Sequence, residues 1–169
     1  KILLDTEVTG VMVKKGELKS VQTSKGRIKT NYVVNAAGLQ ADEVSAMAGI
    51  DRFTIHPRKG EYYIFDKLLN GFVQQILFPV PTPISKGTVV TPTVDGNILI
   101  GPNAQNVEDK NDSATTSRGL DEVFSGALRL IPKLAEKKNM IIANFCGLRP
   151  EPDTNDFIVE SYDEVRGFI

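Results

Sequence analysis

The residues of this chain that can do chemistry are few. Arg149 follows an apolar run and a glycine in Phe145-Cys146-Gly147-Leu148-Arg149-Pro150-Glu151-Pro152. Pro150 biases the residue before it towards an extended backbone. A guanidinium held in this way is a bidentate receptor for a carboxylate or a phosphate. The plainer reading is a surface arginine paired with Glu151 or Asp153. A second group is His56-Pro57-Arg58-Lys59-Gly60-Glu61-Tyr62-Tyr63. Two cations precede a glycine at the start of a strand, and two tyrosines then project to opposite faces. One face can line a pocket with Lys59 and a ring, Tyr62 or Tyr63; the plainer reading is an edge strand with solvated charges. A third is Val33-Val34-Asn35-Ala36-Ala37-Gly38. A strand ending in Ala-Ala-Gly lets a ligand or another backbone approach closely, or simply turns tightly into a helix. His56 is the only histidine and is a candidate base on that ground alone, although a lone histidine is more often structural. Cys146, the only cysteine, reads as a small apolar residue with no helix N-terminus or base beside it to make it a nucleophile.

Composition removes several function classes. The 169 residues carry 20 basic and 21 acidic side chains, a net charge of −1, so nothing electrostatic favours nucleic acid or an anionic membrane surface. A single cysteine and a single histidine exclude a disulfide framework, a thiolate cage and a His-rich zinc site. No apolar run approaches the ~18 to 20 residues that span a bilayer. No GxGxxG, P-loop or HExxH motif is present. With 41% hydrophobic residues the chain has the means to build a core without staples.

The elements that must position these residues follow from periodicity and turn chemistry. Residues 2–36 predict a meander of short strands with turns at Lys15-Gly16 and Lys25-Gly26, the last strand leading through Tyr32, Val33 and Val34. A helix is expected from about Leu39 to Ala48, with Asp42 and Glu43 in its first turn and Gly49 at its end. Phe53 to Phe65 predicts a long strand, and Phe72 to Phe78 another after Asn70-Gly71. Prolines 79, 81 and 83 predict a loop. Thr88 to Val94 and Asn97 to Ile100 flank Asp95-Gly96, a hairpin signal. Residues 102–113 read as polar loop. Leu120, Val123, Phe124, Ala127, Leu128 and Ile131 recur at helical spacing, so a helix is expected from about Thr116 to Leu130, ended by Pro132. Met140 to Cys146 and Phe157 to Glu160 predict two further strands. The fold class is α+β, mainly antiparallel sheet with one long helix.

Taken in order, the motifs VVNAAG-x-x-AD-x-V, PRKGEYYIFD, TPTVDGNILIGPNA and GLRPEPDTNDFIVE resemble the FAD-dependent oxidoreductases of the D-amino-acid-oxidase superfamily. The similarity runs from Val8 to Ile169 and is greatest to the glycerol-3-phosphate dehydrogenase and L-2-hydroxyglutarate oxidase type. It implies part of an FAD-binding, Rossmann-like domain in residues 1–50, a substrate domain in 51–146 and a return segment in 147–169. It implies that Ala36, Ala37 and Gly38 lie beside the FAD pyrophosphate. It implies that Arg149 holds the anionic end of the substrate, with Lys59 and Tyr62 or Tyr63 contributing. The implied reaction moves a hydride from a hydroxyl-bearing carbon to the flavin, with the general base unassigned and the electron acceptor open. Hydroxy-acid-oxidising members carry histidine near position 89, where this chain has Val89, which favours sn-glycerol 3-phosphate over a 2-hydroxy acid or an amino acid. The family's Gly-rich phosphate loop and its flavin-closing segment match nothing here, so the expectation is an internal segment of a longer enzyme, inactive and flavin-free by itself. The parent is expected in the cytoplasm, peripheral at most to the inner membrane. The readings of another class are a flavin-free module binding a small anion through Arg149 and Lys59, and an interaction domain without a small-molecule site.

Overall fold

The computed structural model describes residues 1–81, 87–154 and 156–169. They form two compact units. Unit 1 comprises residues Lys1–His56 and Pro150–Ile169, and unit 2 comprises Pro57–Arg149.

In unit 1 the meander forms as β1 (Val8–Lys14), β2 (Glu17–Thr23) and β3 (Gly26–Lys29), in that order in an antiparallel sheet. The first turn places Lys15 at φ 55° and Gly16 at φ 73°. A tight hairpin needs two left-handed residues to match the strand twist, and glycine adopts that conformation at little cost. The stretch 32–34 does not extend this meander. Val33 instead makes a parallel bridge to Phe168, with Val33 N–H donating to Gly167 O at 2.8 Å and Asn35 N–H to Ile169 O at 2.7 Å. A 3₁₀ turn at Gly38–Gln40 then feeds α1 (Ala41–Met47). The helix stops where Gly49 N–H returns to Ala46 O and Ile50 N–H to Ser45 O, the paired bonds of a Schellman end. Leu18, Ala48, Ile50, Tyr162, Val165 and Phe168 form the core of this unit.

Unit 2 is a sheet with a helix on one face. Strand β4 (Ile55–Phe65) pairs with β6 (Ile98–Gly101) and the two-residue β7 (Gln105–Asn106), and β6 pairs with β5 (Val89–Pro92). Strand β8 (Ile141–Pro152) also pairs with β4. Helix α2 (Ser117–Leu130) has Thr116 as its N-cap and buries Leu120, Val123, Phe124 and Ala127. These pack with Phe65, Val90, Ile98 and Ile100. Gly126 lies on the buried side of α2, where a Cβ would stand 2.4 Å from Thr88 Oγ1, so helix and sheet approach closely there.

Four expectations are corrected. No strand forms over 72–78; only Leu77 bridges to Val90, because β5 is four residues long and Pro79 cannot donate to a ladder. No strand forms over 157–160: Phe157 is 96% and Val159 87% exposed, and alternation alone does not supply a hydrogen-bonding neighbour. The polar loop 102–113 contains β7, which pairs with Arg58 and Lys59. Beyond α2 the chain does not become irregular but continues as 3₁₀ turns over Pro132–Met140, anchored by buried Leu134. Of the loop prolines, Pro83 lies outside the described residues.

Candidate functional site

In unit 1 the corner at Asn35–Gly38 is held by one side chain. Asn35 Nδ2 donates to Ala41 O at 2.8 Å and Ser45 Oγ at 3.1 Å, and Asn35 Oδ1 accepts from Ala37 N–H at 3.3 Å. The carboxamide thus ties the end of the extended segment to the first turns of the helix. Gly38 has φ 60°, and a Cβ there would meet nothing within 4 Å. The corner is therefore rigid, small in side-chain bulk at Ala36 and Ala37, and open at Gly38. His56 is exposed at the boundary of this unit.

The strand β4 sorts the remaining candidates by alternation. Lys59, Glu61, Tyr63 and Phe65 share the face covered by α2. Lys59 is 2% exposed; its Nζ donates to Ala114 O at 2.9 Å and pairs with Asp112 Oδ2 at 2.7 Å. Its hydrogen bond holds the Asp112 carboxyl below the usual range. Glu61 is fully buried. Its carboxylate accepts from Asn103 Nδ2 at 2.8 Å and from the Thr116 N–H and hydroxyl, at the positive end of α2 where a negative charge is favoured. Asn103 Oδ1 accepts from Glu61 N–H at 2.8 Å. Tyr63 meets Phe124 edge to face at 6.5 Å, and burial pushes its hydroxyl pKa up, with Asp121 and Glu61 adding to the effect. The structure thus uses Lys59 and Tyr63 beneath the sheet, against the helix and its leading loop.

Tyr62 points the other way. Its ring stacks on Phe145 of β8, with centroids 4.9 Å apart and planes 7° from parallel. Along β8, Cys146 feels the charges of Lys59, Glu61 and Asp112 on the helix side, and burial raises its thiol pKa. Protonated and half-buried, Cys146 is a poor nucleophile. Phe145, Gly147 and Arg149 therefore share the opposite, open face with Tyr62. Phe145 is 42% exposed and Arg149 is exposed. The face presents a flat aromatic pair, a gap at Gly147 and a guanidinium, an arrangement that can seat a small molecule with one anionic end. A cavity of about 420 Å³ lies elsewhere, in unit 1 between Ile2, Leu4, Lys25 and Ile28. It contains none of the candidate residues and no titratable pair suited to catalysis, so the open face carries the chemistry better. Among the described residues no cluster of ligating side chains could hold a metal ion.

Alternation along β4 is legible in the sequence, and so is the Tyr62 side of the strand. Phe145 as its partner was not, because that contact depends on which strand lies beside β4. Glu61 as the acceptor for α2 was missed too. Its signal was a glutamate between residues of a buried strand, with Thr116 placed to cap a helix.

The FAD dependent oxidoreductase (DAO) family matches residues 1–169, and the chain belongs to it. The chain is 40% identical over 168 residues to a glycerol 3-phosphate dehydrogenase of Caloramator mitchellensis, covering 99% of this chain and 34% of that protein. Among solved structures, an L-proline dehydrogenase from P. horikoshii superposes with a TM-score of 0.85 at 29% identity, covering 99% of this chain and 44% of that one. The FAD-bound, dithionite-reduced L-alpha-glycerophosphate oxidase of Mycoplasma pneumoniae gives a TM-score of 0.78 at 31% identity, covering 91% of this chain and 41% of the other. The chain spans about a third of the length of the dehydrogenase it matches. Among the described residues no helix is long and apolar enough to cross a membrane.

Proposed function

We propose that the full-length protein is an FAD-dependent dehydrogenase that oxidises a small anionic hydroxy compound, with sn-glycerol 3-phosphate as its substrate. The observation that carries this is the 40% identity, over essentially the whole chain, to a glycerol 3-phosphate dehydrogenase.

The residues present suit the cofactor at one corner. Ala36, Ala37 and Gly38 offer an open, left-handed turn with no side chain in the way, and they would hold the pyrophosphate side of FAD. When bound, FAD supplies the two-electron acceptor. The protein's part is binding and orientation. Arg149 grips the phosphate with two parallel N–H donors, fixing which end of the substrate points away from the reacting carbon. Tyr62 and Phe145 supply a flat wall against which the carbon chain lies, and their bulk keeps water from that side. Lys59 and Tyr63 act on the far side of the sheet, where they hold its supporting structure. His56 is left without a catalytic role in this reading.

The test is anaerobic titration of the purified full-length protein with sn-glycerol 3-phosphate and, separately, with L-2-hydroxyglutarate. Loss of the oxidised-flavin absorbance with the first and not the second supports the proposal. Bleaching by the second alone reassigns the substrate, and bleaching by neither removes the reading.

A further inference from the structure

The chain has 14 glycines, and local structure accounts for all but one. Nine adopt positive φ. Gly60, Gly119 and Gly126 sit where a Cβ would fall within 3 Å of a neighbouring atom, and Gly10 lies against Gln22 at a register shift in β1. Gly147 meets neither condition. Its φ is not in the positive range, and a Cβ built on it would meet nothing within 4 Å. It lies in the interior of a 12-residue strand. Glycine there is locally unfavourable, since it costs backbone entropy and offers no side chain to pack. A β-branched residue would suit the strand better.

Neither backbone conformation nor packing within the described residues therefore calls for glycine at this place. Its neighbours on the same face say what does. Two residues before it is Phe145, stacked on Tyr62; two residues after it is the exposed guanidinium of Arg149. We infer that Gly147 is a specificity-determining residue: the space over it is the seat of the substrate's carbon chain, between the aromatic wall and the anion-binding arginine. This rests on the proposed function above and deepens it. It limits the substrate class to compounds whose anionic group and reacting carbon are joined by a short, slender chain, since the seat is one strand residue pair wide. A seat lined by a glycine discriminates by exclusion, because any side chain there competes for the same volume.

The experiment is Gly147→Ala and Gly147→Val in the full-length holoenzyme, with sn-glycerol 3-phosphate as substrate. KM is expected to rise with side-chain size, by about tenfold or more for valine, the range a one- or two-carbon misfit produces. Flavin content and Tm should match the parent, since the new side chains meet no protein atom and valine favours the strand. An unchanged KM in both variants, with the parent still active, overturns the inference and leaves the proposed function standing. A loss of flavin or a large fall in Tm also overturns it, because the space is then occupied by cofactor or by another part of the chain. If the unsubstituted protein fails to turn over sn-glycerol 3-phosphate, the proposed function fails first.

Discussion

At the scale of single residues, the two cations of this chain that attract attention do opposite things. Arg149 stands exposed on the open face, whereas Lys59 is buried and engaged by Asp112 and the Ala114 carbonyl. Arg149→Lys in the full-length protein replaces a planar fork by a point charge. KM for the anionic substrate should rise by about tenfold, which is about 1.4 kcal/mol of lost binding, with kcat less affected; steady-state kinetics reads both. Asp112 is tested by pH. Its carboxyl is held low by the hydrogen bond from Lys59, so its pKa is lower folded than unfolded. Its stabilising contribution is then complete above the ordinary aspartate value of about 4 and is lost as pH falls through the lower folded value. Asp112→Asn should lower Tm at pH 7 and make the decline of Tm below pH 4 shallower than in the parent. An identical acid limb in the two proteins would show that the pair contributes nothing.

At the scale of elements, α2 and the strand beneath it are joined through Glu61. This carboxylate serves the first turn of the helix, binds Asn103, and fills the place that a side chain at position 119 would need. Thr116 adds the ordinary N-cap by accepting from Gly119 N–H at 3.0 Å. Thr116→Ala should cost about 1 kcal/mol in urea unfolding, the usual worth of such a cap. Glu61→Ala should cost more, since it strands two buried donors at about 1–3 kcal/mol each. Equal losses in the two variants would reduce Glu61 to a surface-like role. Helix α2 itself was legible from the spacing of Leu120, Val123, Phe124 and Ala127, and the 95–96 hairpin from its turn residues. Strands at 72–78 and 157–160 were misread because apolar alternation describes a face, while a strand also requires a neighbour with free N–H and C=O groups.

At the scale of the whole molecule, the chain covers a third of its dehydrogenase relative, and its open corner at Gly38 and open face at Arg149 are each only one side of a binding site. The 169-residue chain purified alone should show no flavin absorbance near 450 nm, on the order of the parent's holoprotein none at all, if most FAD contacts lie in the remaining sequence; a yellow preparation would contradict this. What the sequence determined by itself is what local physics encodes: strand alternation, turn chemistry, a helix stripe, and an arginine stiffened by proline. Those suffice to say that Tyr62 and Tyr63 face apart and that Arg149 can meet an anion. Only the tertiary structure decided that Lys59 is spent beneath the sheet, that Phe145 is the ring under Tyr62, and that Gly147 has empty space above it. Each of these depends on which strand lies beside β4 and on what covers its two faces, contacts between residues some 50 to 90 positions apart that no local pattern specifies.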